Sequence, residues 1–220
     1  MIDVKEHISA VRREVGTRTL EAGEARVVTL TRTYDAPVDD VFDACTNVER
    51  IPRWFAPVTG DLRVGGRYQV QGNAGGLIER CDPPRSFAAT WEMGENTSWI
   101  EVRFAGSPEG GTTVTLEHVA HVDDEFWERY GPGATGLGWE LGFLGLAGHL
   151  GAPGVPAAEE GEAWAVSAEG REYIALSGAA WGDAHIAAGD DPEAARASAA
   201  RTVAFYTGTG SHDESGEPGA

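Results

Sequence analysis

Between Asp61 and His121 apolar and polar residues alternate with a period of two, in short runs separated by Gly, Pro and Asn turn residues. "GGRYQV", "LIERCD", "SFAATW", "SWIEVRF" and "TTVTLEHV" are five such runs, and each reads as a strand. In the fourth, Ile100, Val102 and Phe104 share one face; in the fifth, Val114, Leu116 and His118 do. Consecutive hairpin-linked strands make an antiparallel meander with one face on a core and one in water. The apolar face must be covered by another layer, so the flanking segments have to supply helices.

They do. "RVVTLTRTY" (Arg26 to Tyr34) is β-branched and reads as one more strand. "DAPVDDVFDACTN" follows, with Pro37 suited to a first helical turn and Val38, Val41, Phe42 and Cys45 forming an apolar stripe. "VERIPRWF" allows a second short helix. Ile8, Val11 and Val15 fall at helical spacing, which predicts an N-terminal amphipathic helix over 3–15. After the meander, Asp123 or Asp124 caps a helix carrying Phe126, Trp127 and Tyr130, and "LGWELGFLGLAGHL" makes a longer one. Beyond Leu150 a "GAPGVP" linker leads into a helical extension over 151–208, whose last helix opens with Asp191 as cap and Pro192 at its first position. Residues 209–220 read as a disordered tail.

"GPGATG" (131–136) matches the dinucleotide fingerprint G-x-G-x-x-G. That motif works only where a strand delivers the chain into the turn and a helix N-terminus meets the pyrophosphate. Here a helical turn precedes it, the sheet upstream is antiparallel, and Pro132 removes an amide. The match predicts a loop in a chain with 30 glycines, and no nucleotide.

Charge narrows the partners. Against 17 basic residues stand 35 acidic ones, a formal net charge of −18, so nucleic acid and anionic membrane surfaces are excluded as partners. "MIDVKEHISAVRREV" has no apolar core of a secretion signal, and no apolar run approaches the roughly 18 residues of a membrane span. A cytoplasmic protein is expected. Cys45 and Cys81 then read as two buried thiols. His118 and His121 in "EHVAH" lie three apart on a strand, hence on opposite faces, and do not chelate one metal. His118 shares the apolar face of Val114 and Leu116; a core histidine is the simpler reading, a catalytic base the minority one. No catalytic residue, metal or cofactor is assigned.

Several stretches together carry a resemblance. "TRTYDAPVDDVFDACTNVERIPRWF", "GDLRVGGRYQV", "GLIERCDPPRSFAATW", "TTVTLEHV" and "GLGWELGFLGLAGHL", in this order, resemble the SRPBCC (START-like) superfamily. Within it they are most similar to the branch related to activators of heat-shock-protein ATPases, in the actinobacterial form with a C-terminal extension. The resemblance covers about Arg26 to Leu150. It implies an α+β helix-grip fold: a curved antiparallel sheet wrapped around a long C-terminal helix, with a 1–150 domain whose core is 26–150, and 151–208 added. It also implies a cavity between sheet and helix. Candidate pocket-lining residues are Trp54, Tyr68, Trp91, Phe104, His118, Phe126, Trp139 and Phe143, since an aromatic and aliphatic lining suits a small apolar ligand. The expected function is binding of a hydrophobic, polyketide-like or lipid-like molecule, in stress response or self-resistance. A cyclase- or aromatase-type enzyme using the same cavity is an alternative, and so is a protein-interaction module with a chaperone partner. The N-terminal stripe and the extension add apolar surface that a homodimer would cover, unless the two pack back on their own chain.

Overall fold

The computed structural model describes residues 2–209. Its strands are β1 (Val11–Leu20), β2 (Gly23–Tyr34), β3 (Val58–Gly60), β4 (Arg67–Val70), β5 (Gly75–Asp82), β6 (Ser86–Met93), β7 (Asn96–Gly106) and β8 (Thr112–Ala120). They form one antiparallel sheet in the order β1-β2-β8-β7-β6-β5-β4-β3. The helices are α1 (Val4–Ser9), α2 (Val38–Thr46), α3 (Asp124–Tyr130), α4 (Gly133–His149), α5 (Gly161–Ala165), α6 (Ala168–Ala187) and α7 (Pro192–Tyr206), with 3-10 turns at Ile51–Arg53 and Ala158–Glu160. The sheet curves around α4, giving the α+β helix-grip arrangement. Leu30, Val102, Val114 and Leu116 of the strands meet Leu137, Phe143, Leu146 and Ala147 of α4 in the main core.

Three local expectations need correction, and one strand was not anticipated. The helix expected over 3–15 stops at Ser9, and Val11–Leu20 is instead a strand paired along its whole length with β2. Val11 and Val15 suit both periods, and the intervening inward position holds Arg13, whose charge hides the alternation. The second short helix is only a 3-10 turn, Ile51–Arg53. β3, three residues long, has no detectable pattern of its own. "GPGATG" is not all loop: Gly131 (φ 61°) ends α3, Pro132 caps α4, and Gly133–Gly136 already lie inside α4. The tail expected from 209 lies outside the described residues except for Thr209.

The extension packs on its own chain. Trp181 of α6, fully buried, lies against α4 where Gly136 has no side chain; a Cβ there would fall inside contact distance of three atoms of the indole ring. Its Nε1 donates to Glu140 Oε2 at 3.0 Å, and Arg13 of β1 forms a buried ion pair with the same carboxylate. α7 is tied down by Thr202 Oγ1 donating to the Tyr130 carbonyl (2.7 Å) and Tyr206 Oη donating to the Ala134 carbonyl (2.9 Å). Ile2 and Val4 at the N-terminus bury against Leu144 and Tyr173. Much of the apolar surface that pointed to a homodimer is thus covered within the chain, though Val166 and Phe205 of the extension stay exposed.

Candidate ligand-binding site

Alternation on the inward face of the sheet builds one wall of a cavity. Phe87, Ala89 and Trp91 of β6, Ile100 and Val102 of β7, and Val114 and Leu116 of β8 all point to it. The register sets Phe87 opposite Val102, and Val102 opposite Leu116, so the side chains form a continuous apolar row across three strands. Trp139, Gly142, Phe143 and Leu146 of α4 supply the facing wall, while Trp54 and Phe55 after the 3-10 turn close one side. The space, partly open to solvent, is about 190 Å³. An apolar cavity of roughly 150 Å³ stays dry and accepts benzene, so this one has room for about one substituted ring. Arg63 is the one exposed residue of the lining.

Five of the eight anticipated lining residues come together here: Trp54, Tyr68, Trp91, Trp139 and Phe143. Three do not. Phe104 shares the inward face, but at the end of its row it packs edge-on to Phe42 of α2 (centroids 5.3 Å apart) and beside Phe87. Phe126 sits on α3, which packs on α7, and lies beside Tyr130. His118 is inward and buried, yet it stands behind Trp139 and not on the cavity surface.

Both nitrogens of His118 are committed. Trp139 Nε1 donates to His118 Nδ1 (2.8 Å), and His118 Nε2 lies 2.8 Å from Ser98 Oγ. Ser98 Oγ itself donates to the Trp91 carbonyl (2.9 Å), which leaves it to accept from Nε2–H. The relay therefore fixes the Nε2–H tautomer and ties α4 to β8, β7 and β6. Burial pushes the imidazole down from 6.5 to about 4, so near neutrality it is uncharged. Its role in this geometry is to hold Trp139, which packs on Trp91 (centroids 4.7 Å) and stacks parallel to Phe55 (10° between planes).

The other polar groups of the wall are also neutral or satisfied. Tyr68 Oη donates to the Thr90 carbonyl (2.6 Å), and Trp54 Nε1 to the Ala44 carbonyl (2.9 Å). Cys45 and Cys81, which the sequence presents simply as buried thiols, both line the cavity. Burial pushes the Cys45 thiol up to about 12 and raises that of Cys81 as well, so both stay protonated. The indole N–H of Trp91 is buried and finds no acceptor among the described residues. Among those residues, no group of three or more His, Cys, Asp or Glu side chains is placed to hold a metal ion, and no helix is long and apolar enough to cross a membrane.

Comparison with known proteins agrees with this architecture. The family model described as "Activator of Hsp90 ATPase homolog 1-like protein" matches residues 35–151. The crystal structure of CalU16 from Micromonospora echinospora is similar, with 36% identity and a TM-score of 0.63, over 80% of this chain and 98% of CalU16. Its solution structure gives 34% identity and a TM-score of 0.66, over 81% and 97% of the two chains. Protein MLL2253 from Mesorhizobium loti shares the fold at 21% identity and a TM-score of 0.51, over 57% of this chain and 96% of its own. No curated protein matches the sequence.

Proposed function

The chain belongs to the activator of Hsp90 ATPase homolog 1-like family, and from that premise we propose that it binds a small hydrophobic molecule, polyketide-like or lipid-like, between the sheet and α4. The observation that carries this reading is the unfilled apolar cavity itself. Protein interiors pack with few voids larger than a water, and those cost stability, so a space of about 190 Å³ walled by aromatic and aliphatic groups calls for an occupant. Its walls offer no ionised group except Arg63 at the exposed edge, which already pairs with Asp61 at 2.8 Å. A neutral ligand fits such a wall; a charged one would lose its hydration for nothing. Binding stands ahead of a cyclase- or aromatase-type reaction because general acid–base chemistry needs a group free to exchange a proton with the substrate. His118 has neither nitrogen free.

The test is displacement of a neutral fluorescent apolar dye by an aromatic polyketide, in the wild type and in Leu116→Trp. Leu116 is buried on β8 and faces the cavity, so the larger ring fills the space from the sheet side. Dye binding at micromolar affinity is expected in the wild type and its loss in Leu116→Trp, with the fold retained by circular dichroism. Equal binding to both proteins, or none to the wild type, would refute the proposal.

A further inference from the structure

A neighbouring face of α4 borders a second, half-open apolar cavity of about 220 Å³. One wall is α4 itself, at Gly138, Leu141 and Gly145; the other is the extension, at Val155, Trp164 and Ala165. Trp54, Phe55 and Gly142 border both cavities, so the partition between them is two aromatic rings and a glycine. Gly142 puts no side chain into that partition. Trp54 is anchored by its hydrogen bond to the Ala44 carbonyl, whereas the Phe55 ring is held only by packing, on Trp54 and Trp139 among others. Phe55 is therefore the part of that partition that can turn without breaking a side-chain hydrogen bond. The second cavity is also mostly apolar: of its two side-chain N–H groups, that of Trp54 is donated to the Ala44 carbonyl and that of Trp164 to Glu169 Oε2 at 2.8 Å.

The geometry points to a second ligand compartment built by the extension. Resting on the binding reading above, it makes the ligand a neutral, two-lobed apolar molecule. One ring system occupies the sheet-side cavity, a short link passes Phe55, and a second apolar group lies under α5. The first cavity alone takes about one ring, so a larger ligand needs this second space. The extension thereby acquires a binding role, as the outer wall of the compartment.

The experiment compares naphthalene, a one-lobed probe, with N-phenyl-1-naphthylamine, a two-lobed one. Ala158→Phe fills the second cavity from the 3-10 turn before α5, at a half-buried position. It is expected to leave naphthalene binding within about two-fold and to weaken the two-lobed probe about ten-fold or more, the value of burying a phenyl ring. In the unsubstituted protein the Trp164 indole N–H resonance, identified by its loss in Trp164→Phe, is expected to shift with the two-lobed probe and stay in place with naphthalene. This second measurement decides the matter should Ala158→Phe fail to fold. A two-lobed probe that binds yet neither moves Trp164 nor loses affinity in Ala158→Phe overturns the second compartment while leaving the first site standing. Absence of naphthalene binding overturns the first site, and the compartment with it.

Discussion

Acid should weaken this fold through His118, and the size of the effect follows from its burial. The unfolded imidazole takes up a proton near 6.5, the folded one only near 4. Between those values the unfolded chain holds one proton more, so lowering the pH draws the equilibrium toward unfolding. The stabilising contribution is complete above about pH 6.5 and is lost as pH falls toward 4. At about 1.4 kcal/mol for each tenfold change in the proton equilibrium, the displacement amounts to about 3 kcal/mol. The cause is burial, which penalises the charged imidazole; a proton on Nδ1 would also face the N–H of Trp139, which now donates to that nitrogen. His118→Gln is the informative comparison, because a carboxamide offers one acceptor to Trp139 and one donor to Ser98 without titrating in this range. Urea denaturation of both proteins from pH 7.5 to pH 4 should show the wild type losing about 3 kcal/mol more than the variant. Contributions from the carboxylates and from the other histidines with lowered values, His7, His149 and His185, cancel in the difference. Parallel pH profiles would show that burial of His118 does not set its protonation, and would refute the argument.

Glu140→Gln should cost about 3–5 kcal/mol in chemical denaturation, because it leaves Arg13 buried without its counter-charge and presents an amide to the Trp181 N–H; replacing both partners, as Arg13→Met with Glu140→Leu, should recover most of that. Gly136→Ala should destabilise by about 1–2 kcal/mol despite the better helix propensity of alanine, since the added methyl meets the Trp181 ring, which is fully buried. Gly133→Ala, whose Cβ would lie 3.3 Å from the nearest Thr202 atom, should change the thermal midpoint far less. Cys45 should react with a disulfide reagent at pH 8 far more slowly in the native protein than after unfolding, as its thiol titrates only near 12; equal rates would place it outside the cavity wall.

Much of the architecture is written in alternation. The five period-two runs became β4 to β8, and Asp123, expected as a cap, accepts from the amides of Glu125 and Phe126 at 3.0 and 3.2 Å. What alternation gives is a face, and a face does not say where along the row a side chain lies or what stands in front of it. Phe104 and His118 are both inward, yet one is covered by Phe42 and the other by Trp139, contacts made across 62 and 21 residues of chain. Cys81 was hidden for a different reason. Three residues from Ile78, it should face the other way, but a register shift between Ile78 and Arg80 turns the strand so that both line the cavity. A bulge of this kind leaves little trace in composition. Phe126 shows the opposite error: its helical spacing was real, but α3 belongs to the surface that receives α7.

The glycines of α4 tie these observations together. The helix holds six in seventeen residues, and each costs roughly 1 kcal/mol of helix propensity relative to alanine. Propensity therefore cannot be what forms α4; contact on its several sides must. At Gly136 the missing side chain admits the Trp181 ring, and at Gly145 it admits the backbone carbonyl of Trp54. The first contact seats α6, whose indole then completes the hydrogen bonding of the buried Glu140. The second fixes the segment whose Trp54 and Phe55 divide the two cavities. Of the residues that imitate a dinucleotide fingerprint, Gly136 thus seats the extension on α4, while Gly142 and Gly145, further along the same helix, let it serve as the common wall of both apolar spaces.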